Sequence, residues 1–177
     1  MRSLGANVQF GAIMSAFSPD ILLFFESVRL SVFKAANEVI MNEATNTQIA
    51  QQGYEKFGSG DIPGLLDLLS ENISWTVPEI ENAPFSGARQ GRDAVGQFFT
   101  QLSEAEDITR FEPLEFIAQG DKVVVLGESA ATVRATGRTY ETDWVHVFTI
   151  HDGKIGEFVE FFDNAAATRA FQKAASV

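Results

Sequence analysis

His146 is one of two histidines in this 177-residue chain, and its neighbours make it the first place to look for chemistry. Trp144, His146, Phe148 and Ile150 alternate with Val145, Val147 and Thr149, the period of a strand with one apolar face. An imidazole among large apolar side chains can give and take a proton near neutral pH, which is what general acid/base chemistry needs. The plainer alternative is a core histidine whose ring nitrogens simply find hydrogen-bond partners. Two carboxylates are candidates to orient such a ring. Asp163 ends the next apolar run, and a carboxylate beside an imidazole fixes its tautomer and stabilises its protonated form. Asp163 also precedes Asn164-Ala165-Ala166-Ala167 and suits a helix N-cap equally well. Glu157 is the second candidate. It shares a face with Ile155, Val159 and Phe161, whereas Phe158, Glu160 and Phe162 share the other, so only one of Glu157 and Glu160 can look into a pocket. Asp143, next to Trp144, faces away from His146.

Other chemistries find little support. Without cysteine there are no disulfides, no Cys-ligated zinc and no thiol catalysis. His151 falls on the opposite strand face from His146, and the pair lacks the helical i, i+4 spacing of many zinc sites, so no metal is expected. No glycine-rich phosphate loop appears, and no cofactor is expected. The formal net charge is -11. Residues 1–40 carry three groups of each sign, so the excess lies wholly in 41–177 and disfavours a phosphate-backbone partner.

The elements that must position His146 follow from pattern. Asp152-Gly153 is a tight hairpin signal joining strands at 138–150 and 154–162. Further strands are expected at 73–77, 108–118 and 122–136, with Gly120-Asp121 and Thr136-Gly137 at the turns. Glu104, Glu106 and Asp107 read as an acidic link between the helix at 92–102 and the first long strand. Helices are also expected at 47–57 and after Asp61 with Pro63 in its first turn, and a closing helix or tail from 164 to 174. Residues 79–91 read as loop. Helix, helix, strand, helix and then an antiparallel meander indicate an α+β fold. Tyr54, Trp75, Phe98, Trp144 and Phe148 are candidate pocket walls; aromatic residues at such spacing also serve as plain core.

Residues 1–44 stand apart. Ser18-Pro19-Asp20 looks like a helix start, and apolar residues follow at helical spacing from Ile21 to Val39. The apolar run Ile21–Phe25 is too short to span a bilayer, and Asp20 and Glu26 bracket it, against a signal peptide. We expect an N-terminal extension over 1–44, partly helical or an upstream start-site artefact before Met41, followed by one domain over 45–177. A cytoplasmic protein that does not engage membranes is expected.

Several stretches of residues 47–164 together carry a resemblance. They are Tyr54-Glu55-Lys56-Phe57-Gly58-Ser59-Gly60-Asp61, Pro84-Phe85-Ser86-Gly87 with Gly91-Arg92-Asp93-Ala94-Val95, and Trp144-Val145-His146-Val147-Phe148 with Asp152-Gly153-Lys154-Ile155. In this order they resemble the SnoaL-like group of the nuclear transport factor 2-like, or ketosteroid-isomerase-like, superfamily. The resemblance implies a cone, a curved antiparallel sheet wrapped around three helices with an apolar pocket inside, and a homodimer through the outer sheet face. His146 then stands where steroid isomerases place a pocket aspartic acid, and Asp163 loosely resembles the acid/base aspartate of SnoaL-like cyclases. Val77 falls where steroid isomerases carry their general base, so authentic steroid isomerase chemistry is not expected. The implied function is binding of a small hydrophobic, carbonyl-bearing molecule, with isomerisation, cyclisation or dehydration by cofactor-free proton transfer. The alternative is a non-catalytic ligand-binding or dimerisation module.

Overall fold

The computed structural model describes residues 18–172. The expectations for residues 1–17 and 173–174 lie outside them. The chain divides into two units between Met41 and Asn42.

Helix α1 runs Pro19–Gly58, longer than the helix expected at 47–57. The physical reason is local: from Asp20 to Gln52 there is no glycine or proline, and the Met41–Asn46 stretch contains good helix formers. In the first unit the helix exposes Leu23, Phe24, Leu30, Val32 and Phe33. No helix among the described residues is long and apolar enough to cross a membrane.

In the second unit, Asn46 and Glu43 hold the end of α1 to a turn. Asn46 Nδ2 donates to the Gly120 carbonyl at 3.1 Å, and the Gly120 N–H donates to Glu43 Oε1 at 2.8 Å. The remaining elements are α2 (Ile62–Leu68), β1 (Leu69–Val77), β2 (Gly87–Gln90), α3 (Arg92–Ala105), β3 (Glu106–Gln119), β4 (Lys122–Val133), β5 (Thr139–His151), β6 (Lys154–Phe162) and α4 (Asn164–Phe171). Asp61 caps α2 by accepting from the Gly64 N–H at 2.9 Å. Strand β2 lies inside the stretch expected to be loop.

The six strands form one curved, unclosed sheet in the order β2-β1-β6-β5-β4-β3. The meander β3 to β6 is antiparallel as expected, but β1 joins β6 in parallel, so the sheet is mixed. Trp75 stacks on Phe158 across that join, with ring centroids 3.8 Å apart. Val95, Phe98 and Phe99 of α3, Leu65 of α2 and Phe171 of α4 close over the inward face of the sheet and make the core.

Two departures from simple alternation decide what enters that core. The Asp152-Gly153 turn pairs His151 with Lys154 and Ile150 with Ile155, but Thr149 then pairs with Glu157, leaving Gly156 as a one-residue bulge. Without it His146 would oppose Val159; with it His146 opposes Glu160. At the other end, α3 passes into β3 with no linker. The Glu106 N–H still bonds the Leu102 carbonyl while its backbone is already extended. The acidic link therefore does not exist, and Glu106 is a buried strand residue.

Candidate active site

A cavity of about 130 Å³ lies between the helices and the inward face of the sheet. That is close to the size of cavity that takes a single benzene ring. Trp75, Val77, Phe98, Phe148 and Phe158 are among its apolar walls, and its polar groups come from α1, β3, β4, β5 and β6.

His146 is 5 % exposed, and both its ring nitrogens are engaged. Nδ1 lies 2.9 Å from the Tyr54 hydroxyl and Nε2 lies 3.1 Å from Glu160 Oε1. A carboxylate has no proton to give, so Nε2–H donates to Glu160, and Nδ1 of the neutral ring accepts from Tyr54. Glu160, His146 and Tyr54 thus form one hydrogen-bonded chain along the cavity wall, with Tyr54 at one end. Burial, reinforced by the charge of Glu160, holds the Tyr54 phenol well above its ordinary range, so it keeps its proton.

Stacking fixes the imidazole. Trp144 lies parallel to it at 4.0 Å between centroids and Phe158 meets it edge-on at 4.8 Å. Trp144 has room because its partner across β4 is Gly127; a Cβ there would collide with the indole ring and with the Glu112 carbonyl. Trp144 therefore backs the imidazole and is absent from the cavity lining, where sequence reasoning had placed it.

A second polar pair lines the same cavity. Glu106 is 4 % exposed, and its Oε1 accepts from the Tyr140 hydroxyl at 2.7 Å. Burial pushes the Glu106 carboxyl up to about 7, with the Glu160 charge adding to the rise and the Tyr140 hydrogen bond opposing it. Burial and the neighbouring Glu106 charge raise the Tyr140 phenol far above its ordinary range.

The sequence candidates therefore divide. Tyr54, Trp75, Val77, Phe98, Phe148 and His146 meet at the cavity. Asp163 does not: it is exposed and accepts from the Ala165 N–H at 3.1 Å as the N-cap of α4. Glu157 does not either. The bulge turns it to the outer face, where Thr149 donates to its Oε2 at 2.8 Å and Lys122 lies 3.3 Å away. Those bonds hold the Glu157 carboxyl below its usual range. Glu160 takes the orienting role instead. His151 sits in the hairpin against Asp121 at 3.2 Å. Glu106 and Tyr140 were not anticipated, although Glu106 stands two residues before Ile108 and so shares its inward face.

Residues 50–158 match the family model described as SnoaL-like domain. The search of curated proteins found no match. Among solved structures, a nuclear transport factor 2-like protein from Burkholderia xenovorans is 35% identical, with a TM-score of 0.68 over 75% of this chain and 99% of the other. Another, of unknown function, from Burkholderia pseudomallei, is 30% identical, with a TM-score of 0.67 over 73% of this chain and 98% of the other. TerC, co-crystallised with polyporic acid, is 29% identical, with a TM-score of 0.66 over 73% of this chain and 99% of the other. The chain belongs to the SnoaL-like domain family.

Proposed function

We propose that this domain binds a small hydrophobic, carbonyl-bearing molecule and moves a proton on it, in an isomerisation, cyclisation or dehydration that uses the chain's own acid/base groups. The observation that carries the reading is the buried chain Glu160–His146–Tyr54 along the wall of an apolar, ring-sized cavity. The co-crystallisation of the relative TerC with polyporic acid supports a small-molecule ligand.

The Tyr54 hydroxyl is the group that meets the carbonyl oxygen. In the resting chain it donates to His146 Nδ1. When the ring takes a proton from solvent at Nδ1, that nitrogen becomes a donor to the Tyr54 oxygen, and the hydroxyl proton turns toward the ligand. Glu160 stabilises the imidazolium so formed. His146 thus works through Tyr54, because both its nitrogens are already occupied. The phenol stays protonated throughout and acts as a hydrogen-bond donor in a largely apolar cavity, where such a donor is stronger than in water.

The test uses two probes. Phenol, a planar ring with one hydroxyl, reports binding, and cyclohex-3-enone, whose conversion to the conjugated enone is followed by ultraviolet absorption, reports proton transfer. Tyr54→Phe removes one oxygen atom and is expected to lower the isomerisation rate by about 100-fold or more, with the fold retained by circular dichroism. A wild-type protein that binds phenol but does not accelerate the isomerisation contradicts the reading and leaves a binding module.

A further inference from the structure

The relay ending at Tyr54 can polarise a carbonyl, but proton transfer at carbon needs a second group to receive the proton. Few side chains could serve. The titratable groups that line the cavity are Tyr54 from α1, Glu106 from β3, Tyr140 and His146 from β5, and Glu160 from β6; no lysine or arginine lines it. Tyr54 and His146 are bonded to each other, Glu160 is held by His146, and both phenols are held protonated. Glu106 is different. Tyr140 meets one of its oxygens, and no hydrogen-bond donor or cation meets the other among the described residues. A buried carboxyl is costly to leave without full partners, and a cavity is where such an arrangement has a use.

We infer that Glu106 is the catalytic base of this cavity and that Tyr140 is its positioning residue. The inference rests on the proposed function and names the group that function requires. The Glu106 carboxylate takes a proton from the carbon next to the carbonyl. The C–H electron pair becomes the new C=C bond, and the carbonyl pair moves onto oxygen, which Tyr54 stabilises by its hydrogen bond. Return of the same proton from Glu106 to the far end of the conjugated system completes an isomerisation, with atoms and charge conserved. A base that titrates near neutral pH suits both halves of this cycle, since it must accept the proton and release it.

The experiment compares wild type, Glu106→Gln, Glu106→Asp, Tyr140→Phe and Tyr54→Phe with the same two probes. Glu106→Gln is expected to lower cyclohex-3-enone isomerisation by about 100-fold or more, while phenol affinity changes less than about threefold, because the phenol oxygen binds at Tyr54. Glu106→Asp keeps a carboxyl and should retain part of the rate. Tyr140→Phe removes a bond that favours the carboxylate, so the rising limb of the pH–rate profile should move to higher pH, a shift that a purely structural role would not produce. If Glu106→Gln keeps the wild-type rate while Tyr54→Phe loses it, the base lies elsewhere and the inference falls, but the relay stands. If wild type binds phenol and isomerises nothing, the reading beneath both is overturned. An unmoved pH limb in Tyr140→Phe overturns the role given to Tyr140.

Discussion

Replacing Glu106 by glutamine should make the protein more stable above neutral pH and leave it almost unchanged in mild acid. The structure places this carboxyl at 4 % exposure with no cation beside it, and burial pushes it from 4.5 up to about 7. The folded protein therefore holds the Glu106 proton more tightly than the unfolded chain does. Where the unfolded carboxyl is ionised and the folded one is not, raising the pH favours unfolding, by about 1.4 kcal/mol per pH unit. The loss begins near pH 4.5 and is complete above about pH 7, amounting to about 3 kcal/mol in all. Glutamine is neutral at every pH, nearly the same shape, and its amide oxygen can still accept from Tyr140. Urea denaturation of both proteins from pH 4.5 to 8.5 measures the difference. The two stabilities should run close together at the acid end and diverge until the variant leads by about 3 kcal/mol. Curves that stay parallel across the whole range would refute the reasoning, because they would mean that Glu106 titrates alike in the folded and unfolded chain.

Other expectations follow from single contacts. Glu160→Gln removes a negative charge that raises the Glu106 carboxyl, so the rising limb of the pH–rate profile should move to lower pH, opposite in sign to Tyr140→Phe. Gly127→Ala forces a methyl group into the Trp144 ring and the Glu112 carbonyl. It should cost about 1–3 kcal/mol in thermal unfolding and alter the near-ultraviolet circular dichroism of the displaced indole. Asp163→Ala deletes the cap of α4 and should cost about 1 kcal/mol of stability with no change in isomerisation rate. A matching loss of rate would return Asp163 to the site.

Much of the fold is written in local pattern. The Asp152-Gly153 hairpin, with Asp152 at φ 51° and Gly153 at φ 73°, lies where the turn chemistry put it. Trp75, Phe98 and Phe148 converge because each is inward on its own helix or strand. The site itself was harder to read, for two physical reasons. Alternation assumes an unbroken strand, and Gly156 breaks β6 by one residue, which puts Glu160 instead of Val159 opposite His146 and turns Glu157 to the other face. A glycine inside an otherwise regular strand was the available signal. Composition also grouped Glu106 with exposed Glu104 and Asp107, whereas its position two residues before Ile108 gives its direction once β3 is known to begin at the end of α3. The parallel join of β1 to β6 carries no local signature, since it depends on elements about eighty residues apart. The length of α1 could have been seen in the lack of any breaker between Asp20 and Gln52.

A crystal structure of the protein with phenol tests the central claim most directly. The account predicts the ring inside the cavity beside Trp75 and Phe98, with the phenol oxygen about 2.7 Å from the Tyr54 hydroxyl and the Tyr54–His146–Glu160 chain intact. Phenol bound in the cavity with its oxygen turned away from Tyr54, or bound only outside it, would contradict the claim that this chain is aimed at a ligand.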